Sequence, residues 1–197
     1  MIPPSLPIVL ASTSRYRREL LARLGIPFDV FAPHVDESAL PGEEPAALAL
    51  RLSRLKAQAA QRAYPRALII GSDQVAALDG ATLGKPGDYA NAFRQLERMS
   101  ARQVEFHTAV SLLNSATGAL QSEATIVRVR FRPLSEEDIH GYLSKEPAFD
   151  CAGAARVESL GIALCERIDS EDPTALIGLP LITLVSMLQR EGVYVLR

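Results

Sequence analysis

Pro7-Ile8-Val9-Leu10-Ala11, Ser12-Thr13-Ser14 and Arg15-Tyr16-Arg17-Arg18-Glu19-Leu20-Leu21-Ala22-Arg23-Leu24-Gly25 follow one another without a break. The first piece reads as an apolar strand, the second as a polar turn able to cap a helix, and the third as an amphipathic helix stopped by glycine. The charge at that helix start is the wrong sign. Unpaired backbone N–H groups and the macrodipole make a helix N-terminus positive, so Arg15, Arg17 and Arg18 sit there at a cost. A bound polyanion would offset it, because N–H groups, small hydroxyls and guanidinium forks together cradle phosphate. The plainer reading is that the arginines lie along the surface or pair with nearby acids such as Glu19.

Working outward, Pro27 to Phe31 reads as a strand and residues 32–38 as a loop containing Asp36 and Glu37. A helix is expected from Pro45 to Tyr64, bounded by prolines, with Leu48, Leu52, Leu55 and Ala59 as its core stripe. Lys56 lies about 80° around the wheel from Leu48, at the stripe's edge, from where it can reach into a cleft. Ala67 to Gly71 has the continuous apolar pattern of a strand buried on both faces, ending in Ser72-Asp73-Gln74. Asp79-Gly80 marks a hairpin, and residues 83–87 a loop before a helix from Tyr89 to Met99. Strands follow at Val104–Leu113 and Ala124–Phe131, around a turn at residues 114–118. Ser135 caps an acidic helix start, Glu136-Glu137-Asp138, the favourable arrangement that the first helix lacks. Gly161 to Ile168 reads as a strand and Pro180 to Arg190 as the last helix. The expectation is a mixed α/β protein, a twisted mixed sheet flanked by helices, forming a single domain (1–197) with two lobes around a cleft.

With 48% hydrophobic and 22% charged residues, the 197-residue chain has an ordinary globular composition. A net charge of −2 argues against nucleic-acid binding, so any anion it holds is small. Cys151 and Cys165 have neither disulfide-framework nor metal spacing and read as reduced, packed thiols. The N-terminal segment lacks a basic leader, and the longest apolar stretch, 176–188, is too short to span a bilayer and broken by Gly178 and Pro180. A cytoplasmic protein without membrane contact is expected.

Asp73, emerging at the rim of a core strand, is either a functional carboxylate or a turn-capping aspartate. Asp36 and Glu37 are either its partners or a solvated loop pair. Carboxylates from two places, with cations nearby, suit Mg²⁺ or Mn²⁺ shared with phosphate oxygens. No Walker loop, dinucleotide fingerprint, H-E-x-x-H or nucleophile elbow is present, and His34, His107 and His140 fit no triad.

In order along the chain, Leu10-Ala11-Ser12-Thr13-Ser14-Arg15-Tyr16-Arg17-Arg18, Val35-Asp36-Glu37, Lys56-Ala57, Gly71-Ser72-Asp73-Gln74, Gly84-Lys85-Pro86, Cys151-Ala152-Gly153 and Gly178-Leu179-Pro180 resemble the motifs of the Maf-like nucleoside triphosphate pyrophosphatases. The resemblance spans essentially the whole chain, and Tyr16, Gln74 and Glu158 make it similar to the branch that hydrolyses 7-methyl-GTP. Pyrimidine-directed relatives, acting on dTTP and UTP, carry arginine, threonine and glutamine at those positions. The resemblance implies Asp73 as the carboxylate that accepts a proton from the attacking water, and Glu37 as its partner toward a divalent metal. It implies Lys56, Lys85, Arg17, Ser12 and Ser14 on the triphosphate, and Tyr16, Gln74 and Glu158 around the base. Tyr16 would stack on the cationic ring and Glu158 accept from its N–H groups; by themselves these two read equally as a packed aromatic and a solvated acid. Arg15 departs from the family, which usually has proline there, and loosens the turn's fixed φ. A homodimer is a family-based expectation. The alternatives are a dTTP/UTP pyrophosphatase and a nucleotide-binding cell-division regulator without useful turnover.

Overall fold

The computed structural model describes residues 6–197; residues 1–5, which carry most of the reading that no basic leader is present, lie outside them. The order is β1 (Ile8–Ala11), α1 (Arg15–Ala22), β2 (Asp29–Phe31), α2 (Pro45–Ala59), β3 (Leu68–Leu78), β4 (Ala81–Leu83), α3 (Tyr89–Met99), β5 (Gln103–Asn114), β6 (Ala119–Phe131), α4 (Glu136–Lys145), β7 (Cys165–Asp169) and α5 (Leu181–Arg190). Short 3₁₀ helices lie at Ala152–Ala154, Leu160–Leu164 and Ala175–Ile177. The strands form one mixed sheet, ordered β2-β1-β3-β5-β6-β7, with β4 attached to β3.

β3 organises the molecule. One of its edges pairs with β5 from Leu68 to Ala77. The other edge is shared: β1 takes Leu68 to Gly71 in parallel, and β4 takes Ala76 to Leu78. Residues 72–75 therefore have no strand partner on that side, and the sheet is split where β1 ends. The strand does not stop before Asp73, as its apolar run suggested. It continues through it, so Asp73 lies mid-strand but at the rim left by β1.

Alternation along β3 sends Gly71, Asp73 and Val75 to one face and Ser72 and Gln74 to the other. The first face meets α2 at very close range. A Cβ on Gly71 would lie 2.1 Å from Ser53 O and 2.6 Å from Ala57 N. Only glycine admits the helix backbone this near, and α2 contributes small residues to the contact. Ala49, Ser53, Ala57 and Ala60 are fully buried, whereas Leu55 and Ala59 are only partly covered. Leu48 and Leu52 are buried as expected, and the contact face departs from the stripe only beyond them, where close backbone approach selects small side chains over large apolar ones. Lys56 lies within that face, 5% exposed.

Other boundaries differ from expectation: β2 begins at Asp29 rather than Pro27, and β6 at Ala119 rather than Ala124. α2 ends at Ala59, where the i→i−3 bonds of Ala60 to Ala57 O and Gln61 to Gln58 O tighten the chain into 3₁₀-like turns before Pro65. The strand expected from Gly161 begins only at Cys165, since Gly161 N–H folds back onto Arg156 O at 2.9 Å. The helix starts behave as read. Ser14 caps α1 by accepting from Arg17 N–H, with no acid in the first turn, whereas Ser135 and Asp138 form a reciprocal capping box on α4. Apolar clusters flank the split: Leu20, Leu21, Leu184 and Leu188 pack on β1, β3 and β5, and Leu96, Met99, Ile139 and Phe131 form the core beneath α3 and α4. Among the described residues no helix is long and apolar enough to cross a membrane.

Candidate active site

The split in the sheet opens into a cavity of about 460 Å³. Ser12, Ser14, Tyr16 and Arg17 enter it from the β1–α1 corner, Glu37 from the loop before α2, and Lys56 from α2 itself. Asp73 and Gln74 of β3, Lys85 of the loop after β4, and Glu158 complete the set of candidates, so all of them line one space.

At its floor Lys56 Nζ bridges two carboxylates, 2.5 Å from Asp73 Oδ1 and 2.7 Å from Glu37 Oε1. An ammonium buried this deeply is tolerable only when paired. Burial alone would raise the Glu37 pKa, but the Lys56 hydrogen bond and the charges of Lys56, Lys85 and Arg17 outweigh it and hold the group below the usual carboxylate range. The remaining oxygens, Asp73 Oδ2 and Glu37 Oε2, accept no hydrogen bond among the described residues. Among those residues no group of three or more His, Cys, Asp or Glu is placed to hold a metal. Two free carboxylate oxygens suit a hard divalent ion completed by phosphate oxygens and water rather than a closed protein cage.

Arg17 Nε donates to Gly178 O at 2.8 Å. Burial lowers the Arg17 pKa, opposed by the charges of Asp73 and Glu37. Arg18 is exposed and outside the cavity, and none of the three helix-start arginines forms an ion pair among the described residues. The pairing explanation of that charge therefore fails, although Arg18 fits the surface explanation. Ser12, almost fully buried, accepts Ser14 N–H at 3.1 Å. Gln74 Nε2 lies 3.0 Å from Ala175 O and 2.9 Å from both Leu176 O and Thr108 Oγ1. Its amide donors are engaged by the turn at 175–177, which leads into Gly178.

The opposite end is less polar, with Val157, Leu176 and Ile177 in the wall. Burial raises the Glu158 pKa, against the charge of Arg156. Burial also pushes the thiol of the half-buried, cavity-lining Cys151 up to about 11, which disfavours the thiolate; both cysteines are free. None of the three histidines lines the cavity.

A sequence model of the family described as Maf-like protein matches residues 7–191. The chain belongs to the Maf family. Among its relatives, a protein of Thiobacillus denitrificans named 7-methyl-GTP pyrophosphatase is 60% identical over 96% of this chain and 94% of its own length. Proteins of that name from Burkholderia pseudomallei (strain 1710b) and Albidiferax ferrireducens are 56% and 52% identical, each over 96% of this chain and 89% and 95% of their own.

Within this Maf chain the residue-level reading missed the hub at Gly178. Its carbonyl takes Arg17 Nε and also lies 2.8 Å from Ser72 Oγ, which is equally near Ala109 O and serves one of them at a time. Its backbone has φ +118, a conformation that favours glycine. Gly178-Leu179-Pro180 was the available signal, but its partners lie over a hundred positions away. Arg156 was also missed: its guanidinium carbon lies 5.6 Å from the Tyr16 ring centre, and nothing in local sequence announces that contact. Chemically the cavity pairs a cationic, hydroxyl-rich end with a less polar part lined by Tyr16, Phe106, Asp150 and Glu158.

Proposed function

We propose that the protein hydrolyses 7-methyl-GTP to 7-methyl-GMP and pyrophosphate, clearing a modified nucleotide in the cytoplasm. The observation that carries this reading is the Lys56 bridge between Asp73 and Glu37, opening onto the same cavity as Arg17, Lys85, Tyr16 and Glu158. The name shared by relatives at 52–60% identity supports the choice of substrate.

In this reading Asp73 accepts a proton from water as the water oxygen bonds to the α-phosphorus and the bond from that phosphorus to the α–β bridging oxygen breaks. Lys56 orients Asp73 through its 2.5 Å contact. Arg17 and Lys85 offset negative charge growing on the leaving pyrophosphate, and the Ser12 and Ser14 hydroxyls contact its oxygens. Asp73 and Glu37 would hold a divalent ion, Mg²⁺ or Mn²⁺, which would supply Lewis-acid stabilisation. Tyr16 offers a π face to the methylated, cationic purine, and Glu158 accepts from its ring N–H and amine. Gln74 contributes by holding the 175–177 turn.

The test is pyrophosphate release from 7-methyl-GTP, GTP, dTTP and UTP with Mg²⁺ or Mn²⁺, before and after chelation, with Asp73→Asn as control. Preference for 7-methyl-GTP, lost in the variant and on chelation, is expected. Turnover confined to dTTP and UTP would overturn the substrate, and no turnover of any nucleotide would leave a binding regulator.

A further inference from the structure

Two guanidinium groups lie against the Tyr16 ring, and they are held differently. The Arg156 carbon is 5.6 Å from the ring centre, and its side chain is pinned by Asp150 at 2.9 Å and Glu146 at 3.3 Å. It takes no part in lining the cavity. Arg15 is nearer, at 5.0 Å, and both it and Tyr16 line the cavity. Yet Arg15 is exposed and makes no side-chain hydrogen bond or ion pair among the described residues. Of the two cations on the ring, Arg15 is the one a ligand can displace.

A guanidinium is flat, delocalised and positive, as is an N7-methylated guanine ring. In the free protein the ring proposed above for the base therefore already carries a side chain of matching shape and charge. We propose that Arg15 is a built-in competitor for the aromatic face: a cationic purine binds Tyr16 by displacing it, and Arg15 sets how sharply the cavity separates cationic from neutral guanine. The proposal rests on the 7-methyl-GTP reading.

The charges explain why displacement favours a cation. Glu158 lies within electrostatic reach of Arg156, Glu146 and Asp150. These three carboxylates face one fixed guanidinium, that of Arg156, so a positive ring on Tyr16 gains from a net negative surround. A neutral ring does not. With Arg15 in place, a second cation on the same ring is repelled, whereas neutral guanine can stack against the guanidinium.

Monophosphates isolate this end of the cavity, since they lack the β- and γ-phosphoryl groups. Calorimetric binding of 7-methyl-GMP and GMP is measured with the wild type, Arg15→Ala, Arg15→Met and Arg15→Lys. Arg15→Ala and Arg15→Met are expected to bind 7-methyl-GMP about three- to tenfold more tightly, with GMP changed less than about twofold. Arg15→Lys, which keeps the charge, stays close to the wild type. Methionine keeps the length of the side chain, so its agreement with alanine assigns the effect to charge. Weaker binding of both ligands would make Arg15 a phosphate contact. That result, equal tightening of both, no change, or no binding of either ligand by the wild type each overturns the proposal. Wild-type turnover of 7-methyl-GTP with no gain in the variants removes only the role of Arg15. A gain in the variants without turnover removes the enzyme and keeps the competitor.

Discussion

The two ends of the cavity are built to different standards. At the proposed phosphate end, Ser12, Lys56 and Asp73, with Ser72 behind them, are all less than a tenth exposed and stand on or beside β1, α2 and β3, and only Lys85 and Glu37 reach in from exposed loops. Each of the buried four has a polar partner, and a backbone contact that only glycine permits sets the spacing of α2 from β3. At the base end, Glu158 is exposed on the chain between two 3₁₀ turns, and Arg15 lies over Tyr16 without other attachments. Groups that must meet reacting atoms gain from rigid support, because a displacement of about 1 Å costs roughly a hundredfold in rate. Groups that choose among bases can vary on loops without disturbing the core.

The sharpest way to break this contrast is at Asp73. Asp73→Asn preserves shape and removes the proposed proton acceptor, and steady-state kinetics should show kcat for 7-methyl-GTP falling by about 10²–10⁴-fold with little change in KM. A loss confined to KM would make Asp73 a binding residue. Next comes the joint itself. In Gly71→Ala the new methyl group meets Ser53 O and Ala57 N, backbone atoms that cannot rotate away. Urea denaturation should register a loss of about 3 kcal/mol or more, with activity falling as Lys56 is carried off Asp73. A variant that keeps both stability and activity would show that the phosphate end is not rigid.

How much of this could be read in advance depends on the range of the interaction. The β1–α1 corner was legible because strand, cap and helix are local patterns, and the misplaced arginines were legible because a helix terminus has a known sign. Asp73 stood out as an acid on an apolar run. Gathering Lys85, Glu158 and Gln74 with it came from ordered motif resemblance, not from periodicity. The part played by Ala49, Ser53 and Ala57 beside the expected Leu48 and Leu52 was hidden because small residues give almost no hydrophobic signal. The Arg17–Gly178 bond joins residues 161 positions apart, and no local rule reaches that far.

Smaller effects sharpen the base end. Glu158→Gln removes a charge-assisted acceptor, so kcat/KM for 7-methyl-GTP should drop about tenfold, with far less change for dTTP or UTP. Equal losses on all three would take Glu158 out of specificity. Its titration gives a second check. Although the residue as a whole is exposed, partial desolvation of its carboxylate raises the folded-state pKa above the ordinary 4.5, so the ionised group slightly destabilises the free protein at neutral pH. That penalty fades as pH falls through the folded value toward 4.5. Glu158→Gln should therefore be slightly more stable than the wild type at pH 7 and no different below about pH 4.5.

Glu37 belongs to the phosphate end by its partner and to the base end by its setting, since its side chain is 56% exposed on a loop although bonded to Lys56. Its folded-state pKa lies below the ordinary 4.5, so the sign is opposite to that of Glu158. Its stabilisation is complete above 4.5 and is lost as pH falls through the folded value. Solvent screens so open a pair, and Glu37→Gln should cost less than about 1 kcal/mol at pH 7. Urea midpoints of the two proteins should keep a constant gap from pH 7 to about 5 and converge below about 4.5. A gap of several kcal/mol would mean that the Lys56 bridge needs both carboxylates to hold α2 on β3, and would move Glu37 into the rigid half of the site. A small gap, with metal-dependent turnover still reduced in Glu37→Gln, would mean that the loop delivers this carboxylate for chemistry and the fold stands without it.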